Sequence, residues 1–322
     1  MKQSTPACFY HPTTVLFLDD NKVFLDSLEL EFGDKKGTLT CADPVDARHI
    51  LEQSDEDINH VVLHTLDDSE VDTITNHLVD IKINNIHKLI YDVARFKYIS
   101  VLVVDYQMPE INGIDFCKTI KNHPACKIML TAEADKDIAI EALNADIIDK
   151  FLLKRGNNLH EDILRAIDEM KERYFQQLSQ TIIDNLGKNF KLFLKSNDFK
   201  ELFDKVRSEC GAVEYYLVDS HGSFLFLDEE GKPTWLIIRS NAEMNEQVSI
   251  LEGLGAPSSI IEQLKNREKL LFMLSERDYE KSADQWGSHL FKASKLNDNH
   301  FYCIVQDQMT DAIAWDKIKS YF

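Results

Sequence analysis

Short apolar runs that stop abruptly on a polar residue constrain this chain most. Val15-Leu16-Phe17-Leu18 stops at Asp19-Asp20, Val101-Leu102-Val103-Val104 at Asp105, and Ile128-Met129-Leu130 at Thr131. A further run within Ile147–Leu153 stops at Lys154. Brief, strand-forming and without polar alternation, such runs predict parallel strands buried on both faces. A short strand is also expected at 38–41. Helical spacing separates the runs: Val23, Phe24, Ser27, Leu28 and Glu31, then stretches at 44–51, 114–121 and 136–144. Strands alternating with helices give a doubly wound parallel sheet. Functional groups in such sheets gather at the carboxyl ends of the strands. Asp19, Asp20, Asp105, Thr131 and Lys154 all fall there.

These residue types suit one chemistry. Phosphoryl transfer to a carboxylate needs a nucleophilic Asp, a divalent metal to offset charge, and donors for the phosphoryl oxygens. Paired acids at one strand end, beside a third on the neighbouring strand, would hold Mg²⁺, which takes oxygen ligands and keeps several waters. A lysine and a threonine hydroxyl can contact the phosphoryl group. Singly, each residue has an ordinary reading: adjacent Asp residues cap helices, a strand-end Lys is solvated, and Phe151 is core. Jointly, they point to a site.

Leu18-Asp19-Asp20-Asn21, Val103 through Gly113 (VVDYQMPEING), Leu130-Thr131-Ala132-Glu133 and Phe151-Leu152-Leu153-Lys154 resemble the receiver domains of bacterial two-component response regulators, the CheY-like fold. The resemblance spans residues 13–155. It implies that Asp105 takes a phosphoryl group from a sensor histidine kinase or a phosphotransfer protein in a phosphorelay. It implies Mg²⁺ held directly by Asp20, Asp105 and the backbone carbonyl of Gln107, with Asp19 acting largely through water. Thr131 and Lys154 would contact the phosphoryl group, and Phe151 would be the aromatic switch that follows Thr131. Such a chain is a phosphoryl acceptor, with at most self-phosphorylation and autodephosphorylation as activity. Arg155 stands where many receivers have a proline, so the loop after Lys154 is expected to be set differently. The YHPTT start, the VVDY and MP segments, LTAEAD and the stretch Glu214–Asp228 resemble a narrower group of regulators, some linked to quorum-sensing kinases.

With 322 residues the chain is too long for one core. The expected division is a receiver at 1–157, a connector helix at 158–190 and an α+β output domain at 191–322. An insertion at about 55–99 interrupts the receiver. Ile83, Ile86, Ile90 and Val93 predict an amphipathic helix near 83–96, and a shorter helix is expected near 69–80. On the connector, Ile163, Ile167, Met170, Tyr174 and Leu178 step by 4, 3, 4 and 4. That stripe either packs on the receiver or forms a homodimer seam. In the output domain, strands are expected at 215–218, 223–227, 234–239, 270–274, 289–294 and 300–306 in a mainly antiparallel sheet. Helices are expected at 242–253, 257–266 and 309–319. Tyr215, Tyr216, Phe224, Phe226 and Trp235 are core candidates, while His221, His289, Trp235 and Trp286 are scattered polar or aromatic candidates.

The net charge of −19 disfavours DNA, because duplex binding relies on Lys and Arg displacing counterions. From residue 200 onward the chain has 14 Lys and Arg against 21 Asp and Glu. Six cysteines without a CxxC pair predict reduced thiols and a cytoplasmic protein. No apolar run suits a membrane span, and no secretion signal is evident. The output is therefore expected to be contact with a downstream protein partner or dimerisation. A small nucleotide-like ligand or an enzymatic output is the alternative, and a DNA-binding transcription factor is the weakest reading.

Overall fold

The computed structural model describes residues 5–32, 37–55, 83–155, 158–274 and 283–309, together with Trp315. They form two compact units. One contains residues 10–32, 37–55, 92–155 and 158–182; the other contains 5–9, 83–91, 183–274, 283–309 and Trp315.

In the first unit the expected doubly wound sheet is present. Its strands are β2 (Thr14–Leu18), β3 (Thr38–Cys41), β4 (Ile99–Asp105), β5 (Cys126–Thr131) and β6 (Lys150–Leu153). They run parallel in the order β3-β2-β4-β5-β6. All residues of β2, β4 and β5 are buried, as strands covered on both faces must be. The covering helices are α1 (Lys22–Phe32), α2 (Pro44–Asp55), α3 (Gly113–Thr119) and α4 (Lys136–Asn144). Leu16, Leu18, Leu102, Val104 and Met129 meet Ala47, Leu51, Phe116 and Ala142 in one cluster. Side-chain caps set the helix starts: Asn21 accepts from the Phe24 amide, Asp43 from Val45, and Asn112 from Asp115.

The connector is α5 (Leu159–Asn185), 27 residues long. Its stripe is not free for a second copy. Ile163, Ile167, Met170 and Tyr174 are 0%, 6%, 3% and 1% exposed within the single chain. Arg173 pairs with Asp149, Lys150 with Glu169, and Phe175 lies edge-on to His11 at 4.9 Å. The helix packs on the first unit of its own chain, so this seam no longer motivates a homodimer. Ile90, from the insertion, is likewise buried.

The second unit carries an antiparallel sheet, as expected, but with an unforeseen member. Strands β7 (Glu214–Leu217), β8 (Phe224–Leu227), β9 (Pro233–Ser240), β12 (Ser294–Lys295) and β13 (His300–Gln306) are joined by β1 (Phe9–Tyr10), in the order β1-β7-β8-β9-β13-β12. The Leu217 amide donates to the Cys8 carbonyl at 2.6 Å. A separate pair, β10 (Lys269–Leu271) and β11 (Leu290–Lys292), stands beside α8 (Asn241–Gly253) and α9 (Ser258–Lys265). Two helices were not anticipated: α6 (Lys188–Leu194), and α7 (Asn197–Glu209), which Ser196 caps. Tyr215, Tyr216, Phe224, Phe226 and Trp235 are buried, as expected of core.

The insertion differs from its expected form. Its described part is two 3₁₀ stretches, Ile83–Tyr91 and Val93–Lys97, not one α-helix. Asp92 stops the first and caps the second through the Ala94 amide at 2.8 Å. The first stretch belongs to the second unit, where His87 lies edge-on to Trp235 at 6.1 Å. The helices expected near 69–80 and 309–319 lie outside the described residues, apart from Trp315. No described helix is long and apolar enough to cross a membrane.

His11, between β1 and β2, is 2% exposed. Its Nδ1 lies 2.9 Å from the Pro12 carbonyl, and Phe96, Tyr98 and Phe175 surround the ring. Burial, reinforced by the charge of Arg95, lowers its pKa to about 3. The folded state therefore holds His11 neutral while the unfolded chain protonates it below about 6.5, so stability falls as pH drops from 6.5 toward 3. At pH 5 the cost from this one group is about 2 kcal/mol. Urea unfolding at pH 7 and pH 5 is expected to show a smaller acid loss for His11→Phe than for the wild type, by about that amount.

Candidate active site

Three strand ends and one loop converge on a carboxylate cluster. Asp19 and Asp20 follow β2, Asp105 closes the adjacent β4, and Lys154 follows β6. One oxygen from each of Asp19, Asp20 and Asp105 lies within 4.8 Å of the others. Asp19 and Asp105 are buried and Asp20 is exposed. Two carboxylates that close repel by about 3–4 kcal/mol at an effective dielectric near 20. The Lys154 ammonium offsets this, 2.7 Å from Asp19 Oδ2 and 3.0 Å from Asp105 Oδ2.

Burial raises the Asp105 carboxyl above the ordinary range, while Lys154 and the Gln107 amide pull the other way. Burial alone would lower the Lys154 ammonium; its hydrogen bonds to Asp19 and Asp105 outweigh that and hold it above its usual value. A single cation leaves the three acids with net negative charge. An all-oxygen donor set with one solvent-facing member fits a hard divalent ion that keeps part of its water.

Main-chain bonds fix the frame. The Asn21 amide donates to Asp19 Oδ1 at 2.9 Å, the Tyr106 amide to the Leu130 carbonyl at 2.9 Å, and the Lys154 amide to the Thr131 carbonyl at 2.8 Å. Thr131 is 1% exposed at the end of β5. The Gln107 side chain donates to Asp135 Oδ2 at 2.7 Å. Phe151 is half-buried against the receiver core, paired in register with Met129. The fold thus gathers Asp19, Asp20 and Asp105 within 4.8 Å of one another, joins Lys154 to Asp19 and Asp105, and sets Thr131 and Gln107 on the adjoining strand end and loop.

The sequence profile of the response regulator receiver domain matches residues 72–167. The structure of the Legionella pneumophila response regulator LqsR is similar over almost the whole length, at 27% identity. It covers 98% of this chain and 94% of that one, with a TM-score of 0.75. The chain carries a receiver domain of the response regulator family. The adenylate cyclase from Rhodopirellula baltica matches at 19% identity over 53% of this chain and 96% of that one, with a TM-score of 0.37. A receiver domain protein from Clostridium thermocellum matches at 20% identity over 50% and 95%, with a TM-score of 0.34. No curated protein sequence matches the chain. The profile match contains Asp105, Thr131 and Lys154 of the receiver but neither Asp19 nor Asp20. The insertion separates that acidic pair from the rest in sequence, and the β2–β4 pairing restores it in space.

Two receiver residues at the site were not singled out from sequence. The Phe24 ring lies beneath the Lys154 ammonium, which only the rotation of α1 reveals. Gly113 opens α3, and a Cβ there would sit 2.3 Å from the Asp105 carbonyl oxygen. The second unit's candidates do not assemble into a comparable site. Trp286 is core beside Val248, Leu251 and Leu264, and the buried Trp235 donates its indole N–H to the Gln308 carbonyl. His221 lies between Asp219 and Glu243, at 3.7 and 3.5 Å. The Asp219 carboxylate accepts from the His221 and Ser223 amides and from Arg239; the Arg239 charge, with His221 and the Ser223 amide, holds its pKa well below the ordinary carboxylate range against the effect of burial. That arrangement ties a turn to its neighbouring strand.

The Gly113 contact yields a direct expectation. Gly113→Ala must displace the main chain of Asp105 or Tyr106, costing about 1–3 kcal/mol as overpacking does. Urea unfolding is expected to show that loss, together with slower phosphoryl uptake by the displaced carboxylate.

Proposed function

We propose that Asp105 accepts a phosphoryl group from the phosphohistidine of a sensor histidine kinase or a phosphotransfer protein. The observation that carries this reading is the buried Asp105 carboxylate, held by a lysine and clustered with two further acids at the end of a central parallel strand. An Asp105 oxygen attacks phosphorus; the new P–O bond forms as the P–N bond breaks, and the leaving imidazole takes a proton from solvent. Asp20, Asp105 and the Gln107 carbonyl would hold Mg²⁺, with Asp19 acting through water. The ion supplies charge neutralisation for the transferring group. Lys154 and the Thr131 hydroxyl contact the phosphoryl oxygens. Thr131 moves toward the acyl phosphate, and Phe151, half-buried on the neighbouring strand β6, follows inward as the switch.

The output is contact with a downstream protein partner. The net charge of −19 supports this over DNA, and the resemblance of the chain's motifs to regulators linked to quorum-sensing kinases supports a place in that kind of signalling.

Incubation with acetyl phosphate and Mg²⁺ is expected to add one phosphoryl group by intact mass, and Asp105→Asn is expected to abolish it. An Asp105→Asn protein that gains the group to the wild-type extent would contradict the assignment. In Mg²⁺ titrations Asp20→Ala is expected to weaken binding more than Asp19→Ala, since a direct ligand matters more than a water-mediated one. The reverse order would exchange the two roles.

A further inference from the structure

We propose that Phe24 is a positioning residue for Lys154 during phosphoryl transfer, an inference that rests on the reading of Asp105 as acceptor. The Lys154 Nζ lies over the Phe24 ring, 5.1 Å from its centroid. The face of an aromatic ring is the negative side of its quadrupole, and an ammonium within about 6 Å of the centroid is attracted to it. Phe24 is itself held from the site. It sits in the first turn of α1, and its amide donates to Asn21 Oδ1 at 3.2 Å. The Asn21 amide in turn donates to Asp19 Oδ1 at 2.9 Å. The segment that supplies Asp19 therefore also places the ring.

The charges that change during the reaction explain why a neutral holder suits this position. Before transfer, both close partners of Lys154 are carboxylates, Asp19 and Asp105. After transfer, Asp105 is an acyl phosphate: its own carboxylate charge is gone, and negative charge sits farther out on the phosphoryl oxygens. Lys154 must follow it. The Phe24 ring offers the same negative face before and after, because it neither titrates nor takes part. A carboxylate at position 24 would compete with the phosphoryl group for the ammonium. An aliphatic side chain would cover the lysine stem but offer its head no attraction of its own.

The test uses the full chain as wild type, Phe24→Leu and Phe24→Tyr. With ¹³C-labelled lysine, and the Lys154 signal assigned by Lys154→Arg, the metal-free wild type is expected to show a Lys154 ε-methylene resonance shifted upfield by the ring current. Phe24→Leu should lose that shift and Phe24→Tyr keep it. The initial rate of phosphoryl uptake from acetyl phosphate at saturating Mg²⁺ should fall by about two- to five-fold in Phe24→Leu and return in Phe24→Tyr. Equal slowing in the Leu and Tyr variants would mean a packing role and overturns the proposal, as does a Phe24→Leu protein that matches wild type in both rate and resonance. A wild type that gains no phosphoryl group overturns the Asp105 reading and the Phe24 role with it. A phosphorylated wild type matched by Phe24→Leu overturns the Phe24 role alone.

Discussion

One ammonium between two buried carboxylates organises the receiver. Asp19 and Asp105 end adjacent strands and are nearly inaccessible to water, and Lys154 reaches both from the end of β6. Burying like charges together is costly unless they are paired. The pairing here is incomplete, because the acids outnumber the lysine. The site therefore carries unsatisfied negative charge by construction, which a divalent cation would offset. Lys154 keeps two of the acids together in the resting fold.

Much of the receiver was legible because its strands obey a simple rule. A strand buried on both faces cannot hide a polar residue in its middle, so it reads as an uninterrupted apolar run, and the first polar residue marks its carboxyl end. Val101–Val104 followed by Asp105 shows this plainly. The same rule places Asp19, Thr131 and Lys154 at strand ends. The connector shows where such reading stops. Ile163, Ile167, Met170 and Tyr174 announce an apolar stripe, but periodicity does not say which surface covers it, and the surface proves to be the chain's own. Phe24 and Gly113 were illegible for a related reason. Their significance lies in what stands opposite, a lysine 130 residues away in one case and the Asp105 carbonyl in the other.

The second unit was harder to delimit because its parts are not contiguous. A two-residue strand such as Phe9–Tyr10 has no periodicity to detect, and nothing in residues 83–91 says that they serve a sheet more than a hundred residues later. Helices α6 and α7 are short and separated only by Lys195 and Ser196, the latter recognisable as a cap chiefly in retrospect.

That discontinuity limits what residues 191–322 can be. Strand β7 is buried along its whole length and bonded on one side to β8 and on the other to the N-terminal segment. Without residues 5–9 it becomes a bare edge of Glu214-Tyr215-Tyr216-Leu217, and exposed apolar edges invite pairing with other chains. Without residues 83–91, His87 leaves the face of Trp235. The chain passes between the units immediately before β2, which ends next to Asp19 and Asp20, also before β4, which ends at Asp105, and also within α5, which follows Lys154. Every segment that contributes a charge to the carboxylate cluster is thus continuous in sequence with an element of the second unit. The second unit is accordingly no appended cargo module with a boundary at one linker. It is built partly from receiver sequence, and the insertion that interrupts the receiver is one of the places where the two are made of the same stretch of chain.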